Sequence, residues 1–363
     1  MSTTTEPTTR TITARFKSEC AQCAQPIDKG SEITYVPERK QAFHPACYNA
    51  DDLPEMTAVD HVAETQSLVV DAIVASIEQG IANPADWSPP WANVAVGLPV
   101  NVATGATYQG GNLFYLWSLV AAGASRYWGT MKQWNSLSTK GNRVHVRKGE
   151  GRNATWLLRP REVTIEDKDT GEKRKHLVGW DAYPAYHAGQ VVGWTEPKQT
   201  ELPALPTDER DDIDAAFRFA ALTGADVRES HSEGAFYSPT LDYVSVPSRE
   251  RWTSGHGCWS TLAHELTHWT GAEKRLNRVF GKRFGDDAYA AEELCAELGA
   301  AFTLAHVGRS TEPRADHAQY LAHWLRVLKA DPSSLWMIAG RASKAAEYIT
   351  DRAVRPAAEH AMT

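Results

Sequence analysis

The chain has 363 residues, of which 42% are hydrophobic and 23% charged, and its formal net charge is −7. This length is too great for one ordinary core, so two or three domains are expected. The composition is that of a soluble globular protein, and no apolar run is long enough to span a bilayer, so no membrane partner is expected. No secretory signal precedes the first domain, so a cytoplasmic location is expected.

The N-terminal region carries two tight pairs of metal-binding residues. Residues 1–14 are rich in threonine and are predicted to be disordered. Cys20-x-x-Cys23 and His44-x-x-Cys47 follow, and these ligand types suit a tetrahedral structural zinc ion. The alternative is a flexible arm with free cysteines. Two close pairs in so short a segment favour a zinc finger over residues 15–50, folded by its metal because it has few apolar residues.

Residues 62–196 are predicted to form a mixed α/β domain that binds single-stranded nucleic acid. Between residues 86 and 161 there are nine Lys or Arg and two acids, a local charge of about +7 (nine minus two) in an acidic chain. Aromatic residues are interleaved with these cations, and cations for phosphates with aromatic faces for bases are what single strands require. The predicted DNA-binding residues are Arg126, Trp128, Lys132, Trp134, Arg143, Arg147, Lys148 and Arg152.

The alternative is a purely structural role, in which the aromatic residues belong to the core and the cations form a solvated face. For Phe114, Tyr115 and Trp117 the core interpretation is favoured, because they lie in an apolar run. Trp128 and Trp134 are expected to be exposed, because each lies near a cation. The four cations at 143, 147, 148 and 152 surround a glycine turn that is typical of a phosphate-binding hairpin edge.

Residues 197–208 contain three prolines and several acids and are predicted to be a linker. The domain after it, residues 209–352, has a helix ended by Gly224, two strands, a helix over residues 254–270 that ends at Gly271, and a glutamate-bearing helix. Strands, a metal helix and then a glutamate helix are the order that a zincin needs. The predicted fold class is therefore α+β: a small zinc finger, a mixed α/β domain that binds single-stranded DNA, and a zincin-like metallopeptidase domain.

His264-Glu265-Leu266-Thr267-His268 is the most specific motif of the chain. Residues four apart share one face of a helix, so His264 and His268 can bind one zinc ion, with Glu265 beside them as general base. Such a motif also arises by chance on helices. Here its neighbours are uncharged, as a buried helix requires.

A catalytic zinc site needs a third protein ligand, and residues 291–298 can supply it. Glu293 and Glu297 lie four apart in an otherwise apolar segment, where unpaired carboxylates would be costly. One carboxylate, assigned to Glu293, can bind the metal. The other, Glu297, can orient a ligating histidine through its second ring nitrogen.

With these motifs assembled, the chain resembles the ArdC family of antirestriction proteins of plasmids, phages and other mobile elements. In the N-terminal part the resemblance rests on Trp87-Ser-Pro-Pro-Trp91 and on residues 101–112, 128–133, 147–150 and 186–193. In the C-terminal part it rests on residues 237–242, 264–271, 275–277, 292–300 and 320–325. The N-terminal zinc finger lies outside the family pattern and looks like an added module.

The resemblance implies a domain that binds single-stranded DNA joined to a zincin-like metallopeptidase domain, which together protect incoming DNA from host restriction. By position, it implies the same three zinc ligands and the same general base. Tyr320 is a further candidate, for polarising the scissile carbonyl.

Three functions remain open from the sequence. The first is a zinc metallopeptidase that cleaves a DNA-bound host protein, with a strand at 235–237 or 244–246 pairing with the substrate. The second is a non-catalytic protein that coats single-stranded DNA and uses zinc only as a structural ion. The third is a repair protease for DNA–protein crosslinks, whose cleavage would be stimulated by DNA.

Overall fold

The computed structural model of the protein describes residues 10–14, 16–20, 23, 25–36, 41–47, 58–82, 97–166, 173–197, 206, 208–232, 234–278, 287–309, 317–331 and 333–354. The strands in these ranges are β1 (Arg10–Thr13), β2 (Ser18–Glu19), β3 (Pro26–Ile27), β4 (Glu32–Val36), β5 (Gln41–Phe43), β6 (Val100–Asn101), β7 (Tyr127–Gly129), β8 (His145–Val146), β9 (Thr155–Glu166), β10 (Lys173–His187), β11 (Val191–Val192), β12 (Val227–Ser230), β13 (Phe236–Ser238) and β14 (Tyr243–Pro247). The helices are α1 (Ala58–Ala82), α2 (Gly110–Ala121), α3 (Met131–Ser136), α4 (Glu209–Leu222), α5 (Gly255–Thr270), α6 (Asp287–His306), α7 (His317–Ala330) and α8 (Ser333–Ala353).

The chain divides into two compact units, residues 1–65 with 158–183, and residues 66–157 with 184–363. In the first unit, β4 pairs antiparallel with β1 and β5, and β2 pairs with β3. The sequence predicts disorder up to residue 14, and β1 corrects this for Arg10–Thr13, because the ladder with β4 satisfies their backbone groups. Residues 1–9 lie outside the described part. The small core of this region comprises Ala14, Cys20, Ile27, Ile33, Val36 and Phe43.

In the N-terminal half of the second unit, β7 pairs parallel with β6 and antiparallel with Tyr186 and His187 at the end of β10, and β8 pairs antiparallel with β11. Thr130 caps α3 and forms a capping box with Gln133, which fixes where this short helix begins. A cluster of buried side chains joins α3 to the strands: Trp134, Val144, Val146, Tyr186 and Val191. This region has the mixed α/β character that the sequence predicts.

The C-terminal half of the second unit has the predicted order of strands, metal helix and glutamate helix. In its three-stranded sheet, β14 lies between β12, which is parallel to it, and β13, which is antiparallel. Helix α5 begins after Ser254, whose hydroxyl accepts the Gly257 N–H, and ends at Gly271. The predicted span of 254–270 is thus confirmed to within one residue, and the α+β fold class is confirmed.

The two halves of the second unit share a core. Helix α2 packs on α8, where the Gly110 N–H donates to the Ser343 hydroxyl over 2.7 Å. Trp117 of α2 lies against Phe302 of α6, with ring centroids 6.0 Å apart. At Gly111 a Cβ atom would lie 1.9 Å from Trp336 of α8, so only glycine fits this close approach. Phe114 and Trp117 are buried, as the core interpretation predicts.

Among the helices that the structure describes, none combines the length and the apolar character that crossing a membrane requires.

Candidate metal centres and nucleic-acid interface

Helix α5 brings two imidazoles together in the interior of the second unit. The Nε2 atoms of His264 and His268 lie 3.1 Å apart, and the rings are nearly perpendicular. The flanking residues of α5, including Leu262, Ala263 and Leu266, belong to the hydrophobic core, which holds the helix in one rotation. His264 is therefore buried, and both rings point to the same place.

Helix α6 adds a carboxylate to this pair. Glu293 Oε2 lies 3.6 Å from His264 Nε2, and Glu293 Oε1 lies 3.6 Å from His268 Nε2. Donors at about 2.0–2.1 Å from a tetrahedral ion are roughly 3.3–3.4 Å from one another. The observed separations of 3.1, 3.6 and 3.6 Å bracket that value, the last two being to different oxygens of the Glu293 carboxylate. The donor set of two imidazoles and a carboxylate therefore fits a divalent ion such as zinc.

Two further carboxylates of α6 face the outer nitrogens of the imidazoles. Glu297 Oε1 lies 2.9 Å from His264 Nδ1, and Glu292 Oε1 lies 3.2 Å from His268 Nδ1. A ligating histidine usually donates its other N–H to such a partner, which fixes its tautomer and its orientation. The arrangement leaves both Nε2 atoms directed at the space beside Glu293.

The charges of these groups favour ionised carboxylates. Burial opposes the ionisation of Glu292, but hydrogen bonds from His268 and Arg278 outweigh it and lower its pKa. For Glu293, burial is likewise outweighed by a hydrogen bond from His264, by the charges of both histidines and by a hydrogen bond from Tyr289, and the pKa is lowered. Glu293 can therefore bind a cation as a carboxylate, while Glu292 can accept hydrogen bonds from Arg278 and His268.

Glu292, Arg278 and Tyr289 are not among the residues that the sequence predicts for this site. Glu292 is a third acid in an apolar helix, and a buried carboxylate needs a hydrogen-bonded or charged partner. That signal was readable from the sequence, whereas the identity of the partner, Arg278 in the loop after α5, was not. Tyr289 lies one helical turn before Glu293 on α6, so its hydrogen bond follows from helix spacing.

Of the two predicted catalytic side chains, the structure describes only that of Glu265. Glu265 follows His264 directly on α5 and is buried. Tyr320 lies in α7, and its side chain is outside the described part of the chain.

Sheet order distinguishes the two strands predicted to pair with a substrate. Residues 244–246 lie in β14, which is paired on both sides, so that half of the prediction is wrong. Residues 236–238 form β13, which pairs with β14 on one side and with no other strand among the described residues. Its outer edge offers backbone groups to an extended peptide.

A polar cluster fastens the β13–β14 turn to the loop after α5. The Asp242 carboxylate accepts from the Tyr237 hydroxyl over 2.7 Å and lies 2.7 Å from Lys274 Nζ. Arg275 also pairs with this carboxylate, and the Arg275 guanidinium lies over the Trp269 ring. The Arg275 hydrogen bond holds the pKa of Asp242 well below its usual range. Burial, with the hydrogen bond to Asp242, raises the pKa of Tyr237 to about 12.

The predicted zinc-finger residues also converge. Donor atoms of Cys20, Cys23, His44 and Cys47 all lie within 4.8 Å of one another, and Cys23 Sγ is 3.5 Å from His44 Nδ1. The hydrogen bond with the Cys23 thiol raises the pKa of Cys47 to about 11. Thiols so close together ionise reluctantly unless a cation offsets their charge, and the donor set fits tetrahedral zinc.

The predicted exposure of Trp128 and Trp134 is wrong. Both side chains are buried, at 1% and 0% of their surface, and Trp134 Nε1 donates to the Tyr186 carbonyl over 2.9 Å. The Trp128 ring packs on His187, with centroids 5.2 Å apart. Neither ring can stack on a base in this structure, because each lies in the core that supports α3 and the sheet.

The predicted cations lie at the surface. Arg126 is half-buried, with its guanidinium 5.6 Å from the centre of the Tyr127 ring. The other cations are exposed: Lys132, Arg143, Arg147, Lys148 and Arg152. Among the described residues, we assign no aromatic side chain near these cations to base stacking.

A hydrogen-bond network holds the basic turn that contains Lys148 in one conformation. The Glu150 carboxylate accepts from Asn153 over 3.0 Å and from Gln190 over 3.1 Å, which lowers its pKa. Arg147 donates to the Gly189 carbonyl over 3.2 Å. Gly149 adopts a φ of +96°, which favours glycine at this point of the turn.

Two family models match separate parts of the chain. A family model for the N-terminal domain of anti-restriction factor ArdC matches residues 63–184, and one for a zincin-like metallopeptidase matches residues 214–341. An uncharacterized protein of Sinorhizobium fredii (strain NBRC 101917 / NGR234), y4eC, is 34% identical over 289 residues, which are 77% of this chain and 90% of that protein. DNA primase TraC of Escherichia coli is 30% identical over 286 residues, which are 75% of this chain but only 26% of TraC.

Two solved structures are similar to the chain. The metal-free crystal structure of the antirestriction protein ArdC from plasmid R388 has 34% sequence identity and a TM-score of 0.60, over 80% of this chain and 98% of that one. Its Mn(II)-bound structure has 33% identity and a TM-score of 0.59 over the same shares.

Proposed function

Because this chain belongs to the ArdC family of antirestriction proteins, we propose that it protects incoming DNA by binding single-stranded DNA and by a zinc metallopeptidase-type centre. The observation that carries the metal centre is the convergence of His264 Nε2, His268 Nε2 and the Glu293 carboxylate, with a second carboxylate behind each imidazole. A relative with this fold has been solved with Mn(II) bound, which supports a metal in the family.

In the proposed reaction, His264, His268 and Glu293 would hold the metal. When bound there, a zinc ion would supply Lewis-acid chemistry: a coordinated water with its pKa lowered to about 7, and polarisation of a peptide carbonyl. Glu265, beside His264 on α5, accepts the proton of the attacking water and passes it to the leaving amine. The outer edge of β13 pairs with the extended substrate, and Glu297 fixes the ring of His264. The substrate class is a DNA-bound host protein.

Glu265→Gln tests the enzymatic part. The amide keeps the size of the carboxylate but cannot accept the proton, so cleavage of a protein substrate should fall about 10²- to 10⁴-fold while metal content is unchanged. Glu273→Gln, at an exposed acid just beyond the same helix, is the matched control. The second readout is survival of unmodified plasmid DNA entering a restricting host.

Three results are distinguishable. Lost protection with Glu265→Gln supports the peptidase. Intact protection contradicts it and leaves a protein that protects by binding alone. Cleavage that requires added DNA favours the crosslink-repair protease.

The nucleic-acid part of the proposal rests on the exposed cations around the basic turn and on the match to the ArdC N-terminal domain. The similarity to a DNA primase is consistent with a DNA partner. Single strands are held by cations along the backbone, so affinity should depend steeply on salt.

Charge reversal of Arg143, Arg147 and Lys148 together tests this surface. Each lost phosphate contact reduces the slope of log affinity against log salt by about 0.7, so the slope should flatten by roughly 2. Reversal of three exposed cations of the C-terminal half is the control: Arg326, Arg341 and Lys344. An unchanged slope in the first variant moves the DNA site elsewhere.

The N-terminal cluster is proposed to hold a second, structural zinc ion. Cys20, Cys23, His44 and Cys47 provide four ligands and leave no position for a substrate, as in closed structural sites.

A further inference from the structure

A buried ion pair lies directly behind the proposed metal centre. Arg278 Nε donates to Glu292 Oε2 over 3.0 Å, and Arg278 Nη2 donates to Glu292 Oε1 over 2.8 Å. The two side chains are 4% and 6% exposed. Removal of either partner would leave a buried, unpaired charge, which is strongly destabilising.

Arg278 is itself fixed to the helix that carries the imidazoles. Its Nη1 donates to the Thr270 hydroxyl over 2.7 Å, and its Nη2 donates to the Thr267 carbonyl over 2.6 Å. Both acceptors lie in the last turn of α5, next to His268. The guanidinium therefore places the Glu292 carboxylate relative to α5, although Glu292 belongs to α6.

The same carboxylate oxygen also faces His268. Glu292 Oε1, which accepts from Arg278, lies 3.2 Å from His268 Nδ1. Because both oxygens of this carboxylate already accept from Arg278, the same oxygen can only accept from His268 as well, so the imidazole donates from Nδ1. The lone pair of Nε2 is then directed at Glu293 and His264.

We propose that Arg278 and Glu292 are positioning residues for His268: the ion pair fixes the tautomer and ring orientation that metal binding needs. The inference rests on the proposed metal centre and deepens it. It predicts that metal affinity depends on a contact two side chains removed from the ion.

The Glu292 carboxylate accepts from both Arg278 and His268, and substitution by glutamine disturbs one of these two contacts whichever way the amide is turned. If the amide oxygen faces His268, an amide N–H meets the donors of Arg278. If the amide nitrogen faces His268, the imidazole must accept on Nδ1 and carry its proton on Nε2, where it blocks the metal. Either arrangement weakens metal binding without a change in side-chain volume.

The matched control is a second buried pair of the same chemistry in the same unit. Arg309 Nη1 donates to Asp212 over 3.0 Å, and the guanidinium lies over the Trp259 ring. Neither partner is a proposed ligand. Lysine in place of arginine keeps the charge but loses the bidentate fork, so Arg278→Lys and Arg309→Lys damage equivalent pairs.

Zinc affinity is measured by competition with a chelating dye in the full chain carrying Cys20→Ser and Cys23→Ser, so that the finger does not contribute. Glu292→Gln should bind zinc about 10- to 100-fold more weakly. Arg278→Lys should show a smaller loss in the same direction, and Arg309→Lys should keep the affinity of the background. The absorption spectrum of the Co(II)-loaded protein should change for the first two variants only.

Background affinity and an unchanged Co(II) spectrum in both Glu292→Gln and Arg278→Lys overturn the inference. Equal losses in all three variants also overturn it, because they assign the effect to general destabilisation. A background protein that binds no zinc refutes the metal centre itself. If Arg278→Lys does not fold, the isosteric Glu292→Gln variant decides the question.

Discussion

Gly111→Ala probes whether the N-terminal and C-terminal halves of the second unit share one core. A Cβ at this position would lie 1.9, 2.4 and 2.5 Å from three atoms of the buried Trp336 ring. Carbon atoms in contact are about 3.5–4.0 Å apart, so the indole or helix α2 must move by roughly 1.5 Å. Overpacking of this kind costs about 1–3 kcal/mol. For a domain of this size class that corresponds to a fall in Tm of roughly 2–12 °C.

The assay is thermal unfolding of the metal-loaded protein by calorimetry, with Gly340→Ala as the matched control. Gly340 lies on α8 beside the same contact, but its added Cβ would meet nothing within 4 Å. That variant should be as stable as the wild type or more stable by up to about 1 kcal/mol, because alanine favours a helix. Wild-type stability for Gly111→Ala would refute the shared core.

Three further predictions concern other parts of the chain. The pKa of Asp242 is lowered in the folded state, so the stability that its carboxylate contributes is present above pH ~4 and is lost as the pH falls further. The free energy of unfolding of Asp242→Asn should therefore fall less steeply than that of the wild type between about pH 5 and about pH 3. Trp134→Ala should lower the free energy of unfolding by about 3–5 kcal/mol in a denaturant titration, because its side chain is buried. Lys132→Ala on the same helix should leave that free energy unchanged and lower the affinity for single-stranded DNA in a binding titration. Burial raises the pKa of Cys258 and Cys295 to about 12, so in the folded protein a thiol reagent should leave both unmodified and should react first with the exposed Cys23 of the finger, after chelation of the metal, as mass spectrometry of the labelled protein would reveal.

The metal helix could be predicted closely because its information is local. His264 and His268 lie four apart, and helix geometry alone places them on one face. The cap at Ser254 and the stop at Gly271 are likewise set by neighbouring residues. Glu293 required one more step, namely that a carboxylate in an apolar helix needs a partner.

The parts that sequence could not supply depend on contacts between distant segments. The pairing of Arg278 with Glu292 joins a loop to a helix and follows no periodicity. The position of β14 at the centre of its sheet depends on strand order, which alternation of residues does not reveal.

The error at Trp128 and Trp134 has a different physical origin. Base-stacking and core aromatic residues are the same residue types, and β7 and α3, which carry these two side chains, are too short for periodicity to identify their buried faces. A nearby cation is not a sign that an aromatic side chain is exposed. In fact the cations extend from the surface of the same elements whose tryptophans fill the core.

The central claim, that His264 and His268 bind a metal ion, is tested most directly by metal content. Mass spectrometry would measure it in the wild type and in the His264→Ala/His268→Ala variant, together with the affinity of each protein for single-stranded DNA. The account predicts two zinc equivalents in the wild type, one in the variant, and unchanged DNA affinity. A variant that keeps both equivalents contradicts the assignment of His264 and His268 as ligands. A wild type with a single equivalent that the variant lacks contradicts the zinc site of the N-terminal finger.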